Sequence, residues 1–197
     1  TAGANTFAVA EHTIMLILAC LKKLLLANEK TKRAEWAQDE MPLYGVLELW
    51  GKTLGIIGMG RIGKEVARRA KPFGPRLIYY DVDRLSHELE ESLDLTYHAL
   101  DEVIRQSDLI TLHTPLTPRT TNLINTERIA KMKPNVIIVN VSRGAIVDEV
   151  ALAKALKDQR IQGAGLDVYA EEPISPRNPL LDAPNVILTP HIAGATN

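Results

Sequence analysis

Residues 53 to 81 place the strongest constraint on how this chain can fold. They read as an apolar run, a Gly-x-Gly-x-x-Gly turn, a helical stretch and a second apolar run that ends in a carboxylate. Gly58 permits a tight turn off the first strand, Gly60 lets the backbone approach a pyrophosphate, and Gly63 lets the following helix pack closely on the sheet. The pattern predicts a βαβ unit that binds a dinucleotide.

The acidic residue of this unit, Asp81, follows the second predicted strand, 18 residues after Gly63. A carboxylate at that place can accept hydrogen bonds from both hydroxyls of an adenosine ribose. A 2′-phosphate would meet like charge there, so the pattern favours NAD over NADP. The helix that begins near Arg61 directs its N–H groups and the positive end of its dipole at the phosphates. The alternative is an ordinary βαβ unit whose glycines serve packing alone.

The size and charge of the chain exclude several classes of protein. Its 197 residues, 46% of them hydrophobic, are enough for one α/β domain and too few for two large ones. A formal net charge of -1 with interspersed charges gives no basic surface for nucleic acid. The apolar stretch from Thr13 to Leu21 is too short to cross a bilayer. The single cysteine, Cys20, fits a reducing cytoplasm, and no metal site is predicted.

Apolar strands that alternate with helical stretches predict a parallel sheet covered on both faces, a Rossmann-type doubly wound α/β fold that opens with a long helix. That helix is predicted from Asn5 to about Lys32, and Trp36 and Trp50 are interpreted as packing anchors in the irregular segment that follows. Beyond the βαβ unit the pattern predicts helices over 101–107 and 148–157, and strands over 108–113, 135–141, 163–168 and 186–188.

Three ionisable residues, Arg143, Glu172 and His191, each follow a different predicted strand. Ligands of an open parallel sheet bind at the carboxyl ends of the strands, so we expect these side chains to converge. Singly, they could be a surface arginine, a solvated acid and a structural histidine. Together, a guanidinium can clamp a carboxylate or polarise a carbonyl, and an imidazole oriented by a carboxylate can deliver a proton. Beside a dinucleotide, this combination favours hydride transfer to a carbonyl group.

Five segments resemble, in order and spacing, the NAD-binding domain of the D-isomer-specific 2-hydroxyacid dehydrogenases, and the resemblance covers nearly the whole chain. The resemblance implies that residues 1–197 are that domain, and that the substrate domain lies before Thr1 and after Asn197. Residue 1 is Thr rather than Met, and we expect an excised piece. The five segments are Gly58-Met-Gly-Arg-Ile-Gly63, Leu112-His-Thr-Pro-Leu116, Asn140-Val-Ser-Arg-Gly-Ala-Ile-Val-Asp148, Leu166-Asp-Val-Tyr-Ala-Glu-Glu-Pro173 and Thr189-Pro-His-Ile-Ala-Gly194.

The resemblance also implies roles for single residues. Arg143 would bind the carboxylate and carbonyl oxygen of a 2-oxo or 2-hydroxy acid, His191 would be the acid/base, and Glu172 would pair with it. Glu171 is the adjacent competitor for that pairing, but the offset from Asp167 favours Glu172. His12, His87 and His98 match no motif. Around NAD, the implied contacts are Arg61 and Ile62 to the pyrophosphate, Thr114 and Pro115 to the adenosine half, Val141 and Ser142 to the nicotinamide pocket, and Asp167 to the carboxamide.

The function implied is hydride transfer between NAD(H) and a small D-2-hydroxy or 2-oxo acid, with little turnover by the isolated chain. One alternative is an NAD-sensing, corepressor-like binding protein of the same family, and another is an adenosine-binding Rossmann protein such as a methyltransferase. The residues from Ile14 to Leu18 are apolar around most of the helix circumference, which is more than one buried face requires. We therefore expect a homodimer that uses the opening helix.

Overall fold

The computed structural model describes residues 5–196 and contains a seven-stranded sheet in which every pair of neighbouring strands is parallel. The strands are β1 (Thr53–Ile57), β2 (Arg76–Tyr80), β3 (Leu95–Tyr97), β4 (Leu109–Leu112), β5 (Ile137–Asn140), β6 (Gly163–Leu166) and β7 (Val186–Leu188). The α-helices are α1 (Thr6–Leu21), α2 (Leu24–Lys32), α3 (Arg61–Ala70), α4 (His87–Leu93), α5 (Leu100–Gln106), α6 (Thr126–Lys131) and α7 (Glu149–Lys157), and four 3₁₀ segments cover Met41–Tyr44, Lys71–Phe73, Gly144–Ile146 and Pro179–Asp182.

The strand order is β3-β2-β1-β4-β5-β6-β7, with helices on both faces of the sheet. The central strands β1, β4, β5 and β6 are buried along their whole length, as their continuous apolar sequences predict. One apolar core joins the sheet to α1 and α3 through residues such as Leu16 and Val66, and a second joins it to α5 and α7 through residues such as Val103 and Leu152. The predicted Rossmann-type, doubly wound α/β fold is confirmed.

The single helix predicted from Asn5 to about Lys32 is interrupted, because α1 ends at Leu21 and α2 begins at Leu24. Lys23 takes a left-handed conformation with φ of +50°, and its buried ammonium group donates to the carbonyl of Gln162 at 3.2 Å. This bond links the interruption between α1 and α2 to the residue that directly precedes β6. The two halves differ accordingly, since most of α1 is buried and none of α2 is.

The two tryptophans are mostly exposed, contrary to their interpretation as packing anchors, although the ring of Trp50 packs against Gly74. Trp36 is 82% exposed and Trp50 is 71% exposed, and both lie in the segment between α2 and β1. Burying a large aromatic side chain would remove a large apolar area from water, so their exposure marks an uncovered apolar surface. None of the helices in residues 5–196 has the length and hydropathy required to cross a membrane.

The sheet reverses its winding between β1 and β4, and the crevice of an open α/β sheet forms at this place. Gly58 follows β1 and His113 follows β4, and the backbones of the two residues touch. Arg143 follows β5, Asp167 follows β6, and His191 comes after β7. The fold therefore collects the residues after five parallel strands at one edge.

Candidate functional site

The glycine turn, residues 58 to 63, connects β1 to α3. Gly58 has a φ of +97°, and a Cβ on it would lie 2.7 Å from the carbonyl carbon of His113. Gly63 lies in the first turn of α3, and a Cβ on it would overlap the carbonyl oxygen of Gly58. Gly60 is the N-cap of α3 and has no atom within 4 Å of the place of its missing Cβ. The protein's own packing therefore requires Gly58 and Gly63, whereas Gly60 leaves an open surface at the helix N-terminus.

The carboxylate of Asp81 is fixed against this turn. Its Oδ2 accepts a hydrogen bond of 2.5 Å from the backbone N–H of Met59, and its Oδ1 accepts one of 3.2 Å from the N–H of Asp83. The side chain stands just after β2, which pairs with β1 in parallel register. The acid predicted to bind a ribose is thus held beside the turn predicted to bind a pyrophosphate.

A cavity of about 760 Å³ lies at the same edge of the sheet. Seven of the residues that sequence analysis singled out line it: Ile62, Thr114, Pro115, Val141, Ser142, Arg143 and His191. The remaining wall comes from His113 and Leu116 after β4, from Asn5 and Val9 at the start of α1, and from residues 193–195 after His191. A volume of this size is typical of small-molecule and cofactor sites.

Two polar atoms in the wall of the cavity are buried without a hydrogen-bond partner among the described residues. They are the Nδ1 of His113 and the Oγ1 of Thr114. The other ring nitrogen of His113 lies 2.9 Å from the hydroxyl oxygen of Thr111, and burial lowers the pKa of His113 to about 3, so the ring is neutral near pH 7. Buried polar atoms normally find partners, so this wall is suited to a polar ligand.

The turn that carries Arg143 is organised by the buried side chain of Asn140. The Oδ1 of Asn140 accepts bonds from both the backbone N–H and the hydroxyl of Ser142, and its amide group donates to the carbonyl of Arg143. Behind the turn, Gly144 packs directly against the backbone of Tyr169. The exposed side chain of Arg143 lines the cavity from this rigid backbone, and its Nη1 donates to the carbonyl of Ser142 at 2.6 Å.

The imidazole of His191 pairs with Glu172 rather than with Glu171. The Nδ1 of His191 lies 2.6 Å from the Oε2 of Glu172, whose other oxygen accepts a bond of 2.9 Å from the N–H of Tyr169. Partial burial alone would raise the pKa of Glu172, but the hydrogen bonds from His191 and Tyr169 outweigh it and lower the pKa below 4.5. The pair leaves the Nε2 of His191 for another partner.

The loop of Glu172 is itself anchored by a residue that the sequence analysis did not single out. Glu149, the first residue of α7, accepts bonds of 2.8 Å from the N–H of Ala170 and from the side-chain amide of Asn178. These bonds span the two ends of the loop that contains Glu172. The helix dipole favours an acidic residue in the first turn of a helix. The sequence signal at this position is therefore one for a helix start and not one for a functional site.

Asp167 is completely buried and does not itself line the cavity, as far as the described residues show. Its carboxylate accepts bonds from the backbone N–H groups of Ile192 and Ala193, at 3.0 and 2.7 Å, and from the hydroxyl of Thr189 at 2.5 Å. The structure thus shows Asp167 as the anchor of the loop that carries His191. Its bond to the nicotinamide carboxamide stays a prediction.

The residues present fit a bound NAD molecule. The surface above Gly60 is open at a helix N-terminus, where backbone N–H groups and the helix dipole favour a phosphate. The carboxylate of Asp81, the unpartnered atoms of His113 and Thr114, and the guanidinium of Arg143 supply polar groups along the same edge. The sequence predicts most of these residues but gives no role to Asn140 and Thr189, which it contains only as members of the quoted segments, or to Glu149; the side chains of all three hold the backbone in place.

Comparison with known proteins agrees with this geometry. Residues 14–193 match the family model described as the D-isomer specific 2-hydroxyacid dehydrogenase NAD binding domain. A glyoxylate reductase of Korarchaeum cryptofilum is 43% identical over 100% of this chain and 59% of its own length. A D-3-phosphoglycerate dehydrogenase of Methanocaldococcus jannaschii is 46% identical over 98% of this chain and 36% of its own length. The chain therefore spans less than two thirds of the length of each of these relatives.

Solved structures show the same fold. An NAD-dependent formate dehydrogenase from Staphylococcus aureus, crystallised in complex with NAD, superposes with a TM-score of 0.91 at 36% identity, covering 98% of this chain and 57% of the other. A formate dehydrogenase from Granulicella superposes with a TM-score of 0.96 at 32% identity, covering 99% of this chain and 52% of the other. The chain belongs to the D-isomer specific 2-hydroxyacid dehydrogenase family and carries its NAD-binding domain.

Proposed function

We propose that this chain binds NAD along the carboxyl edge of its sheet, and that the protein transfers a hydride between NAD(H) and a D-2-hydroxy or 2-oxo acid. The observation that carries the proposal is the pair of His191 and Glu172, joined at 2.6 Å, beside a cavity that Arg143 also lines. The cavity begins next to the glycine turn, since Ile62 of α3 forms part of its wall. Residues 1–197 would then be the NAD-binding domain of a protein whose substrate domain they do not include.

Each ionisable residue has a definite task in this reaction. NAD supplies the hydride acceptor in oxidation, and NADH supplies the hydride in reduction. Arg143 holds the substrate carboxylate and the carbonyl oxygen through paired N–H donors and stabilises negative charge on that oxygen. His191 delivers a proton to the same oxygen from Nε2, because Nδ1 is engaged by Glu172. Glu172 fixes the orientation of the ring.

The proposed cofactor contacts follow the edge of the sheet. Gly58 and Gly63 shape the turn, Gly60 leaves room for the pyrophosphate, and Arg61 and Ile62 at the start of α3 contact the pyrophosphate through their backbone. The other proposed contacts are Asp81 with the adenosine ribose, Thr114 and Pro115 with the adenosine half, Val141 and Ser142 with the nicotinamide ring, and Asp167 with the carboxamide.

The Asp81→Asn variant tests cofactor binding and selectivity in one experiment. Asn retains an acceptor for the N–H of Met59 but removes the charge, so bonds to the ribose hydroxyls weaken and a 2′-phosphate is no longer repelled. We expect the Kd for NAD, measured by titration calorimetry on the 197-residue chain, to rise about tenfold and the preference for NAD over NADP to fall by at least as much. Asp83→Asn, at an exposed neighbour, is the matched control.

An unchanged preference in Asp81→Asn would contradict the assignment of this acid, and a wild-type chain that does not bind NAD would contradict the proposal itself. We expect the isolated chain to reduce glyoxylate slowly or not at all, because the side chains of Arg143 and His191 are exposed on the substrate side. Steady-state turnover of a D-2-hydroxy acid by a protein of the relatives' length separates this function from an NAD-sensing binding protein.

We further propose a homodimer in the cytoplasm. Three of the five residues from Ile14 to Leu18 are buried within the chain itself, so the opening helix offers less free apolar surface than its sequence suggested. The proposal of a dimer is supported instead by exposed apolar side chains in the segments that follow α1, namely Leu24, Leu25, Trp36 and Leu43. A monomer at micromolar concentration in light scattering would contradict the dimer. The free, buried thiol of Cys20 supports a reducing compartment.

A further inference from the structure

The loop that carries His191 is in an unusual backbone conformation. His191 has a φ of +55°, in the left-handed region that residues with a Cβ rarely occupy. The two residues that follow, Ile192 and Ala193, both donate their backbone N–H groups to the buried carboxylate of Asp167. Such a conformation persists only where the surroundings hold it, so the position of the His191 imidazole depends on what holds Asp167.

A histidine of the first helix completes this arrangement. The Nε2 of His12 lies 3.1 Å from the hydroxyl oxygen of Thr189 and 3.5 Å from the Oδ1 of Asp167. The Thr189 hydroxyl lies 2.5 Å from the same Oδ1 and directs its one hydrogen to that carboxylate. Its oxygen must therefore accept from His12, which means that the Nε2 of His12 carries a proton.

We infer that His12 is a positioning residue for His191, acting through Thr189 and Asp167. Its side chain is 11% exposed, and the residues described as lining the cavity do not include it. The bond crosses 177 positions of sequence and joins α1 to the start of the loop. His12 thereby restrains both the carboxylate that accepts the loop N–H groups and the threonine that begins the loop. The catalytic meaning of this position rests on the proposed function, whereas the bonds themselves do not.

Amide hydrogen exchange of the 15N-labelled, 197-residue chain without cofactor tests the inference. In His12→Ala we expect exchange at Ile192 and Ala193 to accelerate about tenfold. The local opening that permits exchange costs less free energy when it does not also have to break the bonds of His12. His12→Gln places an amide nitrogen near the former Nε2 and should restore exchange to within about threefold of wild type. The amide of Gly58, bonded to Tyr80 in the glycine turn, should be unaffected in both variants.

Thr13→Val is the matched control, because Thr13 is the buried neighbour of His12 and bonds only within α1 in the described residues. It should leave exchange at Ile192 and Ala193 unchanged. Equal exchange in His12→Ala and wild type would overturn the inference, as would a His12→Gln variant that behaves like His12→Ala. A general loss of stability would be recognised by faster exchange at Gly58 as well, and would also count against a positioning role.

A second variant keeps the test decisive if His12→Ala does not fold. Thr189→Val preserves shape and removes the bridging hydroxyl, so it should accelerate exchange at Ile192 and Ala193 by itself. Unchanged exchange in Thr189→Val would overturn the inference. Where His12→Ala does fold, the double variant should add little to Thr189→Val alone, because both break one chain of bonds. Fully additive effects would overturn the inference. NAD titration of the wild-type chain is read separately, so failure of NAD binding would defeat the proposed function and leave the exchange result standing.

Discussion

The glycine turn of residues 58 to 63 and the histidine loop of residues 189 to 193 serve the same edge of the sheet but are built in different ways. The turn is shaped by its own glycines and by the strand next to it, as in the bond from the N–H of Gly58 to the carbonyl of Tyr80. The loop is held by side chains from two distant segments, namely Asp167 and Glu172 after β6 and His12 of α1. A contiguous motif is sufficient to specify the turn, whereas the loop exists only within the complete fold.

The largest effect that would test this contrast is expected at Gly63. In Gly63→Ala the new methyl group would overlap the carbonyl oxygen of Gly58, and neither backbone can easily move. We expect the free energy of unfolding in urea to fall by about 3 kcal/mol or more.

Gly60→Ala is the matched variant for this change, because its methyl group would enter open space. We expect the free energy of unfolding to stay within about 1 kcal/mol of wild type while NAD affinity falls at least about tenfold, since the methyl group occupies the approach of the pyrophosphate. If both variants were equally stable, or if Gly60→Ala bound NAD normally, the assignment of a packing role to Gly63 and a binding role to Gly60 would be wrong.

Asp167→Asn should produce an intermediate effect that is confined to the histidine loop. The amide group of Asn would face one of the N–H donors of Ile192 and Ala193, which leaves a buried donor without an acceptor. We expect a loss of about 1–3 kcal/mol in the free energy of unfolding, with faster amide exchange at those two residues. Asp182→Asn, at an exposed acid, should cost less than about 0.5 kcal/mol. Uniformly faster exchange that includes Gly58 would show that the two regions are not independent.

The smallest effect concerns pH. Glu172 has a pKa below 4.5 in the folded chain, so its ionised form stabilises the fold fully above pH 4.5 and the stabilisation is lost as the pH falls through the lowered value. Wild type should therefore be more stable than Glu172→Gln at pH 7, and the difference should shrink below pH 4.5. Glu171→Gln is the matched control, since Glu171 is the exposed neighbour, and it should show no such trend. Urea unfolding across this range provides the measurement, and a constant difference would contradict the assignment.

Much of the fold could be predicted because its central strands are short, continuous apolar runs between helices. Strand β7 has its predicted bounds, and α7 begins after the predicted cap, Asp148. Helix α4 escaped prediction because it is dominated by glutamates, of which Glu90 is buried through its bonds to Arg84 and Tyr79. Such pairing is invisible to hydrophobic periodicity, although the Ser86 cap was a readable signal.

The site could be read in part for the same reason. Glycines and strand-end residues are recognisable in sequence, and seven of the residues that line the cavity could be predicted on that basis. The roles of the residues that hold them in place could not be predicted. Asn140, Glu149 and Thr189 act through bonds to backbone or buried groups, which the sequence does not reveal. His12 was assigned no role because no local motif contains it. Its partner lies 177 positions away, and only the packing of α1 brings the two together.

The bond between Asp81 and the N–H of Met59 has a consequence for the entropy of ligand recognition. A free carboxylate on a loop would lose rotamer freedom each time a ligand arrived, and that loss would weaken association. Here the Oδ2 of Asp81 is held 2.5 Å from the backbone nitrogen of Met59 by a bond within the protein itself. Folding already meets the conformational cost of fixing this carboxylate, so the ribose contact proposed for Asp81 requires little further loss of rotamer freedom.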